Sequence, residues 1–581
     1  MTRGIPVSIS AIRSGNPLLR SAVVACIVAG HFICAPAYAQ APLNPPASSI
    51  TKSRPSDERP TLPEFKEAQQ PELALPPVAP TPQDQLPYGI RLFVRQFTFT
   101  GNTVFTDAEL AEVSAAYENR EVTTEDLQQL RQALTLYYVK RGYINSGTVI
   151  PDQKVTDGVI QIQVIEGRLT RIDIKGTDRF HPDHIRDRLA LGAGPPLNTY
   201  EMEQRLQIML QNPLLETINA SLVPGEQPGE AVLEAEVVES SPYTLNLGLD
   251  NAISPAIGEP HLWLQGSAAN LAGRGDVLSG EIGAAEGLDE LAIDYTIPIT
   301  ARDTLLSIRY DRSESEVVED EFEELDIENE NETIGIAVTH PLYRTPNSQF
   351  DLGLALELRS SESSLLGIPF SFAPGVEDGE SEVTVIRFSQ NWLNRSQNQV
   401  LALRSTFSFG IDAFGATIND DAPDSEFVAW LPQFQWAHRF QETEHQLIFR
   451  AEMQLSNEAL LPLEKYTVGG IDTVRGYRED QLVGDQGYAL TIEYRLPILR
   501  SESGQGNLQL SAFFDAGGTE NKDAPDPDPD NIASVGLGLI WNPGSRFYAE
   551  LFWANALEDV ETSDDSLQDD GVHFRMVASF L

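Results

Sequence analysis

The sequence predicts an all-β transmembrane barrel of about sixteen antiparallel strands, preceded by two small α+β modules of β-α-α-β-β order. Three observations carry this. The N-terminus reads as a removable secretory leader. The same five-element order occurs twice, in residues 91–167 and 168–240. From 241 to 581 the chain alternates apolar and polar residues in short segments, with no helical period.

In the leader, residues 1–39, Arg3, Arg13 and Arg20 precede an apolar stretch over 21–34, and Ala37-Tyr38-Ala39 places cleavage between Ala39 and Gln40. The apolar stretch is shorter than the ~20 residues a spanning helix needs. Both cysteines, Cys26 and Cys34, lie in this leader. The chain beyond it has no thiol, which excludes a disulfide framework, a thiolate zinc site and a cysteine nucleophile. It also has no long apolar helix, so any membrane span must be built from strands. The formal charge of −46 excludes nucleic acid as a natural partner and a basic-patch dock on anionic lipid. Much of the acid is gathered in runs such as 316–330 and 523–530, which read as solvated loops.

Residues 40–90 have the Pro-rich composition of a linker. A short helix over 63–75 would be interrupted by Pro71, and a disordered tether is the better reading. In the first module, 92–100 alternates as a strand and ends at Gly101-Asn102. Thr106 and Glu109 form a capping box that opens a helix. A second helix starts near Thr123 or Thr124, with Leu127, Leu130, Leu134 and Tyr137 on one face, and stops at Arg141-Gly142. Strands follow over 148–150 and 159–165. The second module repeats the order: a strand over 169–175, a helix over 184–191, and a helix capped by Asn198 carrying Met202, Leu206 and Met209. Strands over 217–223 and 231–238 close it.

The remaining segments suit barrel strands, which need ~9–11 residues each to span at a tilt. Over 488–496, Tyr488, Leu490, Ile492, Tyr494 and Leu496 share one face, and Ala489, Thr491, Glu493 and Arg495 the other. A soluble barrel turns the apolar face inward and a membrane barrel turns it outward, and alternation alone is compatible with both. The leader, the missing thiols and the aromatic residues Tyr243, Tyr310, Trp541 and Trp553 favour the membrane version.

Between the strands ending near Leu455 and starting near Gln486 lies Val474-Arg475-Gly476-Tyr477, an Arg-Gly step among Gly469, Gly470 and Gly484. In the strand over 508–514, Phe513 and Asp515 fall on the polar face, as Glu493 does in the strand before. Taken alone, such an Arg and Asp read as a surface loop residue and a strand end, since exposed ion pairs are common and weak. Together, Val474-Arg475-Gly476-Tyr477 and Phe513-x-Asp515-x-Gly517 resemble the paired signature of the POTRA-plus-barrel superfamily of outer-membrane insertases and secretion pores. That resemblance implies that Arg475 folds into the lumen and pairs with Asp515, with Glu493 as a second acidic partner. Arg141-Gly142-Tyr143-Ile144-x-Ser146, Ile150-Pro151-x-Gln153 and Glu166-Gly167 resemble the first POTRA module of two-partner secretion transporters, the TpsB family. Asn270-Leu271-x-Gly273-Arg274-Gly275-Asp276 is similar to a turn of the same family. Two features depart from the pattern. The N-terminal plug helix is poorly formed, and the terminal aromatic, Phe580, stands one place early.

The resemblance implies an outer-membrane pore with periplasmic POTRA domains. These capture an unfolded, large secreted exoprotein and feed it to the cell surface without a cofactor. Exposed sheet edges are the expected capture points, through backbone hydrogen bonds. The edges over 148–150 and 217–223 are both candidates. An insertase shares the Arg475–Asp515 pair and is the alternative; a passive porin leaves the two modules without purpose. No nucleophile arrangement points to an enzyme. His181-Pro182-Asp183-His184 reads as a helix start before a metal site, and the Pro/Asp alternation of 525–530 as a solvated loop.

Overall fold

The computed structural model describes residues 63, 65, 73–75, 91–319, 322–500, 507–560 and 566–580. The expected leader with its Ala39–Gln40 cleavage site, any plug helix, most of the linker and Leu581 lie outside the described residues.

The linker is not wholly a tether. Leu73–Ala74 (β1) pairs in parallel with Ala220 and Ser221 of the second module, and the Phe65 ring lies under the Arg439 guanidinium at 4.7 Å. The first module comprises β2 (Arg91–Val94), β3 (Gln96–Thr100), α1 (Asp107–Ser114), β4 (Arg120–Thr123), α2 (Thr124–Val139), β5 (Gly147–Val149) and β6 (Val159–Ile165). Thr106 and Glu109 make the expected capping box, and Thr123 with Asp126 makes another at α2. Each box satisfies otherwise orphaned backbone donors at a helix start. The predicted order lacks two short pieces. The strand expected over 92–100 divides at Arg95, whose N–H turns to the Gly158 carbonyl, and β2 then pairs with β4 between the helices. On α2 the buried stripe is Leu127, Leu130, Leu134 and Tyr138. Tyr137, placed on that face from sequence, is only partly buried, because Tyr138 continues the i, i+4 spacing from Leu134.

The second module follows the predicted order: β7 (Arg168–Lys175), α3 (Pro182–Ala190), α4 (Thr199–Met209), β8 (Leu215–Pro224) and β9 (Glu230–Glu239). Its sheet runs β1-β8-β9-β7, so β1 takes the edge that β8 would otherwise expose. Met202, Leu206 and Met209 pack with Ile185 and Leu189 on Leu222, Leu233 and Val237 of the sheet. In the first module β5 is an edge strand.

Beyond Tyr243 the described residues form a closed antiparallel barrel, sealed where Tyr243–Asp250 pairs with Val572–Ser579. Seventeen segments stand in the ring; one, Ile368–Pro369, has two residues, which leaves sixteen full strands. The acidic run over 316–330 is strand at its two ends, Glu316 and 327–330, with a short 3-10 turn at Glu323–Leu325 between them. Leu305–Glu316 and Ile327–Arg344 stay paired up to Glu316 and Glu328, with Arg312 bridging Glu314 and Glu330.

The faces resolve the choice that alternation left open. Leu264, Ile282, Ile293, Ile336, Leu354, Ile492 and Leu537 point outward and are exposed on the chain, while Glu281, Gln435, Thr491, Glu493, Ser511 and Arg575 are buried inside. An apolar outer belt around a polar interior is a membrane barrel.

The second module is seated on the turns at its end of the barrel. His181 N–H donates to the Gly273 carbonyl (2.9 Å), and Gln211 Nε2 to the Pro346 carbonyl (2.8 Å). Asp303 bridges Arg188 of α3 and Arg344 of the barrel, at 2.7 and 2.8 Å. The 270–276 turn holds its own shape: Asp276 accepts from Ala272 N–H, and Asn270 Oδ1 from Gly275 N–H. A Cβ at Gly273 would lie 2.6 Å from His181 Cδ2, so glycine permits this contact. His184 is buried behind the same turn; burial and the charges of Arg188 and Arg274 push its pKa down to about 3.

The outward belt generates a paired prediction. Leu264→Arg sets a charge in lipid at a cost of about 2–4 kcal/mol, whereas Gln265→Arg on the adjacent lumen position sets it among polar groups and leaves stability nearly unchanged. The folded fraction on heat-modifiability gels after liposome insertion should fall for the first and hold for the second.

Candidate functional site in the barrel lumen

The long connection over residues 457–485 folds back into the barrel. A small hairpin of Tyr466–Val468 paired with Leu482–Gly484 stiffens it. Tyr466, Val468, Val474, Tyr477 and Leu482 from the loop pack with Leu431 and Ile532 of the wall. This apolar contact carries the loop tip against the strands Gln486–Arg500 and Asn507–Glu520.

Arg475 sits at the tip, 3 % exposed, between two fully buried carboxylates. Its Nε donates to Asp515 Oδ2 at 2.7 Å and its Nη2 to Oδ1 at 3.0 Å, a bidentate pair. Its backbone N–H also reaches Asp515, at 3.2 Å. Nη1 donates to Glu493 Oε2 at 3.2 Å. Glu493 is held by others as well: Arg495 Nε donates to it at 2.5 Å and Ser511 Oγ at 2.9 Å. The guanidinium carbon lies 3.4 Å from the Phe513 ring centroid and 4.7 Å from that of Phe552, so two ring faces cover the charge. Removing one partner from such a buried pair leaves an uncompensated charge, at about 3–5 kcal/mol.

The flanking motif residues make this approach possible. Gly476 has φ +93°, and a Cβ there would meet Ala554 Cβ at 2.8 Å; its N–H donates to His573 Nε2 at 2.9 Å. The Tyr477 hydroxyl donates to the Ala533 carbonyl at 2.9 Å and accepts the Glu558 N–H at 3.0 Å. At Gly517 a Cβ would fall 2.6 Å from Val468 Cγ1, so the bare wall lets the loop hairpin lie flat on it.

The first-module signature is elsewhere, at the joint between the two modules. Gly142 (φ +93°) presents its carbonyl to Thr199 N–H and Oγ1, and a Cβ on it would lie 2.4 Å from Asn198 Oδ1. The Arg141 carbonyl accepts from Asn198 Nδ2, and its guanidinium stacks 3.5 Å over the Tyr137 ring. The Gly167 carbonyl accepts Leu197 N–H. Glu166 reaches back inside its own module, accepting from Thr103 N–H, Thr103 Oγ1, Val104 N–H and Tyr138 Oη. Tyr143 meets Phe105 and Tyr138 edge-on. The Gln153 side chain both accepts from and donates to the Gln161 backbone, covering β6 where β5 has ended, and it also donates to the Pro151 carbonyl.

Sequence reasoning missed two further anchors of the loop. Arg478 donates to Asp569 at 2.6 and 2.7 Å and to Glu319 at 3.0 Å. Glu464 is buried between Arg359 and Arg387. Arg478, three residues past Arg475, was visible as a second cation at the tip. Glu464 carried no signal, because its partners lie more than seventy residues away in sequence.

A family profile described as haemolysin secretion/activation protein ShlB/FhaC/HecB matches residues 229–540, and one described as POTRA domain, ShlB-type, matches 92–167. The chain belongs to the ShlB/FhaC/HecB family. It is 24% identical over 521 residues to the outer membrane transporter CdiB of Dickeya dadantii, covering 86% of this chain and 89% of that protein. The solved structure of CdiB from Escherichia coli aligns with a TM-score of 0.65 at 22% identity, over 87% of this chain and 94% of the other. BamA from Haemophilus ducreyi lacking POTRA domains 1-3 aligns at 0.52 and 14%, over 84% of this chain and 100% of the other. These structural likenesses concern the fold. This ShlB/FhaC/HecB-family chain is thus an outer-membrane transporter of two-partner secretion, with its POTRA arm in the periplasm.

Glu166 supplies a pH test of the arm. Partial burial opposes its ionised form, but the donors from Thr103, Val104 and Tyr138 prevail and hold its pKa below the usual carboxylate value. A depressed folded pKa contributes stability that is complete above the unfolded carboxylate pKa and is lost as pH falls through the folded one. Hydrogen-exchange protection over residues 97–110, taken relative to the intrinsic rate at each pH, should therefore fall on acidification in the parent protein. In Glu166→Gln the protection should already be low at neutral pH and change little.

Proposed function

We propose that the passenger is a large secreted exoprotein, captured unfolded by the POTRA arm and passed through the lumen, with the 457–485 loop as the element held in or released from the path. The observation that carries this reading is the buried Arg475–Asp515–Glu493 cluster. A loop tied to the wall by charge-assisted bonds in a polar lumen is held firmly yet needs no covalent change to let go. A sixteen-stranded barrel is wide enough to leave an aqueous channel once such a loop moves. Catalysis has no part in this reading. The names of the relatives, outer membrane transporter CdiB, heme/hemopexin transporter protein HuxB and hemolysin transporter protein ShlB, support a passenger of the exoprotein class.

Two measurements test it. Arg475→Ala should lower the secreted passenger roughly tenfold or more while the barrel still inserts and shows normal heat-modifiability. Unchanged secretion removes the loop from the mechanism. For capture, the β5 edge is the better of the two candidates, since β1 already pairs with β8. A photo-crosslinker at Val149 should trap passenger in the periplasm more efficiently than one at Ser221; the reverse ranking assigns capture to the second module.

A further inference from the structure

The Arg475 cluster holds one end of the loop. The other end carries a second buried cluster, and it has its own geometry. Glu464 closes a short 3-10 turn, Pro462–Glu464, just before the hairpin strand Tyr466–Val468. It is 1 % exposed. Arg359 Nη1 donates to its Oε1 at 2.6 Å, and Arg387 donates twice, Nη2 to Oε1 at 2.8 Å and Nη1 to Oε2 at 3.1 Å. Arg387 also donates from Nε to Glu357 at 2.7 Å and from Nη1 to Ser408 Oγ at 2.7 Å. Arg359 and Glu357 belong to the strand Ser348–Leu365 and Arg387 to Glu380–Arg395. Along the ring, Glu380–Arg395 stands four strands from Gln486–Arg500, where Glu493 lies.

The four charged groups, two arginines and two glutamates, sum to zero and lie on the lumen side. The loop contributes only Glu464, and the wall contributes the rest. A barrel wall has no need of a loop carboxylate for its own ladder. Without Glu464, two arginines would face one remaining acid in the interior, an uncompensated charge.

We propose that Glu464 with Arg359 and Arg387 is a second latch, which positions the loop across the lumen independently of Arg475. This deepens the reading of the loop as the movable element: freeing the tip alone swings it about the Glu464 end, and the lumen clears only when both ends yield.

The test uses the absence of cysteine beyond Cys34. Val468→Cys places a thiol at a loop position that is 0 % exposed. Its maleimide labelling rate is measured in the full chain with Cys26→Ser and Cys34→Ser, inserted in liposomes and checked for folding on gels. Glu464→Gln should raise the rate roughly a hundredfold, and Arg475→Ala should raise it comparably. The pair Glu464→Arg with Arg387→Glu keeps two positive and two negative groups and should return the rate to within a few-fold of the parent. Planar-bilayer conductance should become noisier in Glu464→Gln and quieten in the swapped pair. Parental labelling in Glu464→Gln beside fast labelling in Arg475→Ala overturns the second latch and leaves the first standing. Parental labelling in both overturns the movable-loop reading itself. If Glu464→Gln does not insert, Arg359→Gln, which keeps the Arg387 pair, should still raise the rate roughly tenfold; no rise overturns the proposal.

Discussion

A barrel that faces lipid must spend its apolar side chains on the outside, and that constraint leaves an interior of carboxylates, amides and guanidinium groups. Inside such a lumen a charged loop is buried by protein and by neighbouring polar groups, never by hydrocarbon. Arg475 can therefore be almost fully enclosed, with three guanidinium hydrogen bonds to Asp515 and Glu493 and the ring faces of Phe513 and Phe552 over its charge. In an oily core the same arginine would be prohibitively expensive. The polar interior makes the buried ion pair possible.

Buried ion pairs contribute little net stability relative to apolar packing, but breaking them is costly, which suits an element kept in one register. The loop shows both devices. Apolar packing of Tyr466, Val468, Val474 and Leu482 gives it a body, and the ionic contacts of Glu464, Arg475 and Arg478 fix where that body lies. The same logic governs the joints. Gly142 and Gly167 let the two POTRA-like modules meet backbone to backbone, and the Asn270–Asp276 turn presents a bare glycine carbonyl to the second module. The arm thus reaches the barrel through close contacts that a Cβ at Gly142 or Gly273 would obstruct.

Much of this was legible in the chain. The capping box of Thr106 and Glu109, the second-module elements and the alternation of Tyr488 to Leu496 were read correctly, because each depends on residues within a turn or a strand of one another. The Arg475–Asp515 pair was legible only because its flanking residues resemble a known signature; the two residues alone would have passed as surface groups. Short pieces escaped. β4 has four residues and Leu73–Ala74 only two, too few for any period to show, and both exist because a partner strand was already in place. The first-module signature was recognised as a pattern, but its work at the inter-module joint was invisible, since Asn198, Leu197 and Thr199 belong to the next module.

By itself, the order of residues determined which stretches are strands and helices, that the long C-terminal half has one polar and one apolar face, and which loop carries an arginine beside glycine. Local sterics and hydrogen bonding decide those matters within a few residues. Only the closed barrel decided that the polar face is the inner one and that Glu464 lies between Arg359 and Arg387. Pairings between groups a hundred residues apart come from the ring closing on itself, and nothing in the neighbourhood of either partner records them.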